Sequence, residues 1–389
     1  MFSARRQARQ LEHAAIKFQI RSTSFGPASD RPYRWHFPCF VARMNLCRRL
    51  MLLAVCPLAL DAADLIRPKV IIVATFEIGA DTGDKPGEFQ YWVEREKLVH
   101  SLTVPGLDHP VRYNDDGVYG VVSGTTVRAG LQMMALGLDP RFDLTKSYWV
   151  INGIAGVNPH VATEGSAAWA RHVIDGDIAY EIDTAEAPKD WPYGIMALGN
   201  KTPLTPPVIP DWAPKPMAWT LNPALVQWAY ELTRGVELFD DATARAHRAL
   251  YVGFPAALAG PKVLIGDSFG SCRYWHGARM QRWADEWTKL YTNGLGICAM
   301  TNMEDHGLAN ALQRLDALKK VDFARVLFLR TGSNFSMPPA GQIAAESMVE
   351  EYQGMIPSLE AAWRVGSPVV RAIARDWAKF SVAPPMVQK

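Results

Sequence analysis

Short apolar runs closed by Gly, Ser or Asn punctuate the chain. Pro68 to Thr75 is followed by Phe76-Glu77-Ile78-Gly79, and Tyr119 to Val122 by Ser123-Gly124-Thr125-Thr126. Ser147 to Ile151 is followed by Asn152-Gly153-Ile154-Ala155-Gly156, Lys262 to Ile265 by Gly266-Asp267-Ser268-Phe269, and Val326 to Leu329 by Arg330-Thr331-Gly332-Ser333-Asn334. Unbroken apolar runs of this length read as strands buried on both faces, which is the signature of parallel pairing, and the C-terminal ends of such strands point into a shared crevice. Helical spacing lies between them: Val127 to Leu138, Asn222-Pro223 through about Thr233, Arg279 to Leu290, and a helix after Glu304 with His306, Leu308, Ala309 and Leu312 on one face. Asn222 followed by Pro223 is an N-cap followed by a first helical residue. Two further helices, Ile343 to Ala361 and Ser367 to Phe380, close the chain. Strand, Gly-rich turn and helix recur, which predicts an α/β fold: a single domain with a central mixed, mostly parallel sheet flanked by helices.

Two stretches break the rhythm. His172 to Ile174 and Ile178 to Tyr180 flank Asp175-Gly176-Asp177 and read as a strand pair joined by a turn. From Ala187 to Pro223 nine prolines appear, with Trp191, Trp212 and Trp219 among them. Proline cannot donate to a sheet ladder or sit inside a helix without cost, so this stretch predicts a surface excursion, either a lid or a subunit contact.

The first 68 residues do not share the pattern. Met1 to Val41 is Arg-rich and aperiodic, whereas Met44 to Arg49 is a basic start followed by an apolar run of 11 residues, Leu50 to Leu60, and then Asp61-Ala62-Ala63. That is the layout of a secretory signal, expected here over 44–63, with 1–43 an extension upstream of the true start and 64–389 the folded domain. Lipidation at Cys56 and a twin-arginine route through Arg48-Arg49 are alternatives. The expectation is an exported, periplasmic protein with no membrane span, since no later stretch approaches the ~20 apolar residues a spanning helix needs.

Composition adds little. A net charge of +2 and 21% charged residues give no footprint for a nucleic-acid partner. Of five cysteines only Cys272 and Cys298 fall beyond the expected leader. An oxidising compartment permits a disulfide between them; two free thiols are the alternative. No residues cluster as metal ligands, and no cofactor is expected.

The motifs carry the chemistry. An aromatic at Phe269, an acid at Glu304 and an amide at Asn334, brought to one sheet edge, could stack a flat base, hold a sugar diol and hydrogen-bond a ring nitrogen. In order, Ser123-Gly124, the Gly-rich word from Asn152, Asp175-Gly176-Asp177-Ile178, Gly266-Asp267-Ser268-Phe269, Met303-Glu304 and Arg330 to Asn334 resemble the nucleoside phosphorylase and nucleosidase superfamily. The longer words Phe76 to Gly79 and Asn152 to Pro159 resemble the purine nucleoside permease family, a branch of that fold.

The resemblance implies roles. Met303 and Glu304 fall on the pair whose carboxylate accepts from the ribose hydroxyls, a fit of two vicinal donors to one two-oxygen acceptor; otherwise Glu304 is a surface acid favoured by a helix N-terminus. Phe269 falls on the base-stacking aromatic, or else packs in the core. Ala155 and Gly156 join the substrate-binding group. Glu77 falls where nucleosidases position water, or is a solvated loop acid. Asn334 stands where many relatives have a proton-donating Asp; an amide donates to N7 or O6 but transfers no proton, which favours a 6-oxopurine such as inosine or guanosine. Ser123, Gly124, Thr125 and Thr126, at a helix N-terminus, form an anion or water site. Phosphate as co-substrate lacks the basic residue expected near Ile151 and Asn152, so water is an equal candidate. The resemblance also implies a homo-oligomer. Two functions follow: cleavage of the N-glycosidic bond of purine nucleosides, by hydrolysis or phosphorolysis, or non-catalytic periplasmic nucleoside binding that serves a separate membrane transporter.

Overall fold

A computed structural model describes residues 65–203 and 209–385. The expected extension 1–43 and leader 44–63 lie outside those residues. The strands, in chain order, are β1 (Val70–Ala74), β2 (His100–Leu102), β3 (Val111–Tyr113), β4 (Val118–Val122), β5 (Tyr148–Val157), β6 (Ala167–Trp169), β7 (His172–Asp175), β8 (Ala179–Glu181), β9 (Ile195–Ala197), β10 (Ala218–Thr220), β11 (Val263–Ile265), β12 (Asp267–Gly270), β13 (Cys298–Asn302) and β14 (Val326–Phe335). The α-helices are α1 (Gln90–Arg95), α2 (Val127–Leu138), α3 (Pro223–Thr233), α4 (Ala242–Arg248), α5 (Pro255–Leu258), α6 (Ala278–Tyr291), α7 (Asp305–Ala317), α8 (Ala344–Met348), α9 (Met355–Arg375) and α10 (Trp377–Phe380).

The fold is α/β, one domain around a large mixed sheet with helices packed against it. The sheet runs β10-β7-β12-β13-β5-β1-β4-β3-β2; β14 also pairs with β5, and β6 joins β14 to β11. Pairing is parallel through β4-β1-β5-β14 and through β7-β12-β13, and antiparallel at the margins and where β13 meets β5. Two of the predicted runs are buried on both faces: every residue of β1 is buried, as are Val326 to Leu329 of β14; the run before Gly266 is not, since only Val263 of β11 is buried. α2 packs on α7, while α9 lies along β5 and β14. A second apolar cluster sits under α6, where Trp283 and Trp287 meet Phe269 and Trp275.

Four expectations need correction. The Gly-rich word does not end the third strand: β5 continues through it to Val157, because β14 stays paired with it along that length. Gly266 to Phe269 is likewise no turn. β12 starts at Asp267, and Gly266 marks the place where the chain leaves β6 for β7 and β13. The strand pair around Asp175-Gly176-Asp177 does not form. β7 pairs with β12 and β10, and β8 pairs with β9 in a separate ribbon, since the apolar residues of β7 are better buried inside the large sheet. Finally, α9 runs unbroken across residues 361–367 with Pro368 inside it. Its buried face, including Leu359, Val365, Val369 and Ile373, stays in helical register across the expected gap, and that burial outweighs the cost of proline. The break falls earlier, between α8 and α9.

The Pro-rich stretch supplies β9 and β10. β10 is an edge strand between Pro216 and Pro223, where proline is tolerated. α3 begins as predicted, with Asn222 Oδ1 accepting from the N–H groups of Ala224 (3.1 Å) and Leu225 (3.4 Å).

Candidate functional site

The site is built where the sheet splits. β5 runs beside β1 from Tyr148 to Ile151, and beside β13 only at Gly156 and Val157. Between those pairings the Asn152–Ala155 edge has no neighbouring strand on that side, so its buried backbone groups need other partners. Side chains supply them. The Ile154 N–H donates to Glu88 Oε1 (2.6 Å), and Arg330 Nη1 donates to Ile154 O (3.2 Å). The Asn152 side chain ties the strand to its surroundings: its amide donates to Val73 O (3.2 Å) and accepts from Trp92 Nε1 (2.9 Å). Residue 153 must be glycine, for a Cβ there would stand 2.3 Å from Arg330 Nη1 and 2.6 Å from Glu88 Oε1.

Arg330, fully buried in β14, gathers three carboxylates. Its Nη2 lies 2.8 Å from Glu304 Oε1, its Nε reaches Asp305 at 3.0 and 3.1 Å, and Nη2 also bonds Asp305. Glu88 sits on the other side, with Oε2 accepting from the Thr75 N–H (2.7 Å) and the Thr75 hydroxyl (2.6 Å). Asn302, ending β13, accepts from the N–H groups of Glu304 (3.2 Å) and Asp305 (2.9 Å) and so turns the chain into α7. Three acids around one guanidinium leave excess negative charge in a dry place. Burial pushes the Glu304 carboxyl up to about 7, with Arg330 opposing and Glu88 and Asp305 adding to the rise. Burial also raises Glu88, against Arg330 and its donors from Thr75 and Ile154.

A cleft of about 240 Å³ opens over this cluster. Its lining includes Glu88 and Glu304, Ala155 and Gly156 from β5, Thr301 and Asn302 from β13, and Met303 just beyond it. Asn334, Tyr274, Tyr352 and Met355 stand over them. Gly156 keeps the cleft open, because a Cβ there would stand 2.7 Å from Thr301 Oγ1. Asn334 follows a bulge in β14: Gly332 pairs with Ala155 and Asn334 with Gly156, so Ser333 is the extra residue that re-aims the strand. The Asn334 amide is held by Ser333 Oγ (2.9 Å), Tyr274 Oη (3.1 Å) and Phe335 O (3.2 Å).

Of the residues singled out in the sequence, Met303, Glu304, Asn334, Ala155, Gly156 and Thr125 line this cleft. The others stand off it. Phe269 is fully buried, 4.8 Å edge-to-face from Trp283, in the cluster beneath α6. Glu77 accepts from the N–H groups of Ile78 (2.7 Å), Phe89 (2.8 Å) and Gln90 (2.6 Å) and from that of Gly87, so its carboxylate pins the loop entering α1. Ser123 is buried with its hydroxyl donating to Gly124 O (3.0 Å). Gly124 and Thr126 take positive φ, 70° and 58°, in the turn before α2. Cys272 and Cys298 are free thiols, so the disulfide alternative does not hold.

Sequence reasoning missed Glu88, Thr75, Tyr274 and the part played by Arg330. A charge directly after Val326-Leu-Phe-Leu329, in a run otherwise fit for a core, was the available signal for Arg330. For Glu88, at the end of a polar loop, there was none.

Comparison with known proteins places the chain. A Candida albicans "Purine nucleoside permease" is 29% identical over 327 residues, covering 81% of this chain and 77% of its own length. A Schizosaccharomyces pombe protein, "Probable purine nucleoside permease C285.05", is 28% identical and covers 82% of this chain and 92% of its own. Among solved structures, a 5′-methylthioadenosine/S-adenosylhomocysteine nucleosidase of Streptococcus pneumoniae covers 78% of the chain and 99% of its own, at 14% identity and a TM-score of 0.47. The futalosine hydrolase of Helicobacter pylori covers 78% and 98%, at 11% identity and a TM-score of 0.47. The profile of purine nucleoside permeases matches residues 67–384, and the chain belongs to that family.

Proposed function

We propose that this protein binds purine nucleosides in the cleft over Glu304 and cleaves their N-glycosidic bond. The observation that carries the reading is the buried Glu304 carboxyl, held by Arg330 and opening onto a cleft whose opposite wall bears an amide and two tyrosines. A sugar diol meets the carboxylate, and the base lies between Met303, Tyr274 and Asn334. Relatives described as purine nucleoside permeases support a nucleoside as ligand. As positive charge develops on the sugar, the acids around Arg330 stabilise it, and hydrogen bonds from Asn334 and Tyr274 stabilise the departing base. The attacking group is water or phosphate, and Thr125 beside Glu88 and Thr75 is the polar edge that would receive it.

One observation favours a second reading. Asn334 transfers no proton, so nucleoside capture without turnover, for delivery to a separate membrane protein, uses the same cleft. No helix among the described residues is long and apolar enough to cross a membrane. Export through the 44–63 leader, and assembly into a homo-oligomer, belong to both readings. Purified protein incubated with inosine, with and without phosphate, decides between them. Hypoxanthine release that disappears in Glu304→Gln supports cleavage; saturable inosine binding with no release supports capture.

A further inference from the structure

Beside the cleft, three side chains that the nucleoside site does not use converge on one nitrogen. His306 Nε2 lies 3.0 Å from Asp177 Oδ2 and 3.4 Å from Cys272 Sγ. The ligand atoms of all three residues fall within 4.8 Å of one another. An imidazole nitrogen carries at most one proton, which cannot point squarely at both a carboxylate and a sulfur. A cation at their centre satisfies all three. We propose that Asp177, Cys272 and His306 form a binding site for a divalent transition-metal ion of the zinc class.

The spacing suits it. Bond lengths of about 2.0–2.3 Å in tetrahedral geometry put ligand atoms about 3.3–3.6 Å apart, so the two separations from His306 Nε2, 3.0 and 3.4 Å, need only a few tenths of an ångström of adjustment, and the whole set lies within 4.8 Å. The donor set is thiolate, imidazole and carboxylate, which selects borderline-soft ions over magnesium or calcium. Two of the ligands are already fixed in place. Asp177 Oδ1 accepts from Ser271 Oγ (2.7 Å), and its two oxygens take the Cys272 N–H at 3.0 and 2.9 Å. The His306 ring, 7% exposed, lies against Gly270, where a Cβ would stand 2.6 Å from Nδ1. Hydrogen bonds such as those on Asp177 are what orient metal ligands, whereas His306 Nδ1 has no hydrogen-bond partner among the described residues and its ring is placed by packing. Asp177 and Cys272 also line a cavity of about 330 Å³ with Ala179, Glu181 and Arg273, which would give the ion an entry path and room for water.

The ion would join two walls of the cleft. Cys272 lies two residues before Tyr274, which lines the cleft, and His306 lies in the first turn of α7, two residues after Glu304, which lines it too. Occupancy would fix the distance between the base-facing and sugar-facing sides without touching the nucleoside.

The test uses the full chain, stripped with chelator and titrated with cobalt(II). The expected result is a saturable thiolate-to-cobalt charge-transfer absorption with the intense visible bands of a four-coordinate ion, displaced by zinc(II). Cys272→Ser should abolish the charge-transfer band. His306→Asn should weaken cobalt binding by more than the ~10–100-fold typical of losing an outer-shell partner. No charge-transfer band in the wild type, or a band that survives Cys272→Ser, overturns the proposal. If either variant fails to fold, alkylation of the wild-type thiols mapped by mass spectrometry replaces it: protection of Cys272 by zinc(II) supports the site, and equal modification with and without zinc(II) rejects it.

Discussion

Arg330 Nη2 stands 2.8 Å from Glu304 Oε1, and the same guanidinium binds Asp305 and the Ile154 carbonyl. The residue that would hold the sugar is thus itself held, by an arginine with no exposure to solvent. Glu304→Gln should weaken nucleoside binding more than free-base binding, since only the nucleoside carries the sugar hydroxyls that the carboxylate would accept from. A hydrogen bond to a charged group contributes roughly 1.5–3 kcal/mol, or about tenfold to more than a hundredfold in affinity. Calorimetry with inosine and hypoxanthine makes the comparison; equal losses would sink the assignment.

Glu88→Ala should damage the fold more than the cleft. It leaves the Thr75 N–H, the Thr75 hydroxyl and the Ile154 N–H without their acceptor, and a buried donor left unsatisfied costs about 1–3 kcal/mol. Glu88→Gln keeps an acceptor oxygen and should cost less. Urea midpoints for the two variants give the order, and the reverse order would show that Glu88 is not holding the split edge of β5.

Phe269 and Tyr274 should separate stability from recognition. Phe269→Ala empties a fully buried position among Trp275 and Trp283 and should cost about 3–5 kcal/mol of stability. Base affinity, measured where the variant is folded, should stay unchanged. Tyr274→Ala removes a cleft wall and a partner of Asn334, so it should weaken hypoxanthine binding with little loss of stability.

Asn334→Asp should move preference from inosine toward adenosine. A carboxylic acid can protonate N7, which an amide cannot do, and a carboxylate offers the 6-amino group two acceptor oxygens where the amide offers one beside a competing donor. A buried donor–acceptor mismatch costs about 1–3 kcal/mol, enough to read as a changed ratio of inosine to adenosine binding or cleavage. An unchanged ratio would mean that Asn334 does not face the base.

The pair His247–Glu164 should make stability depend on pH. His247 Nδ1 lies 2.9 Å from Glu164 Oε1, with Glu350 at 4.0 Å from Nε2. Burial lowers the His247 pKa, but the hydrogen bond and charge of Glu164 override it and leave a net rise above 6.5. Burial also raises Glu164 above its ordinary 4.5, against His247. A raised folded-state pKa gives stability that is complete below the unfolded value and lost as pH climbs through the folded one. The stability difference between wild type and His247→Gln should therefore shrink as pH rises above 6.5. Denaturation midpoints across that range check it, and a flat difference would rule out an ionic pair.

How much of this was legible in the sequence follows from how local each signal is. α2 spans the predicted Val127–Leu138, and Asn222-Pro223 gave the start of α3, because capping and periodicity act over a few residues. Glu304 was legible for the same reason: an apolar strand gives way there to a helical face. The hairpin at Asp175 was misread because the apolar residues of β7 find their partners in β10 and β12, which lie far along the chain. Phe269 and Glu77 sat in the right words, yet one faces the tryptophans of α6 and the other the backbone entering α1. Side-chain direction at a strand end depends on bulges and neighbours that spacing does not encode.

Where β5 parts from β1, Ile154 contributes its peptide group and no side-chain chemistry. Any residue but proline that keeps the strand in place there would offer Glu88 and Arg330 the same N–H and carbonyl. Gly153 has no such freedom, since a methyl group would collide with both. Two adjacent positions in one strand should thus differ sharply in what they tolerate. A saturation library across 153 and 154 should return variety at the second and glycine at the first, marking a functional position that no search keyed to reactive side chains would find.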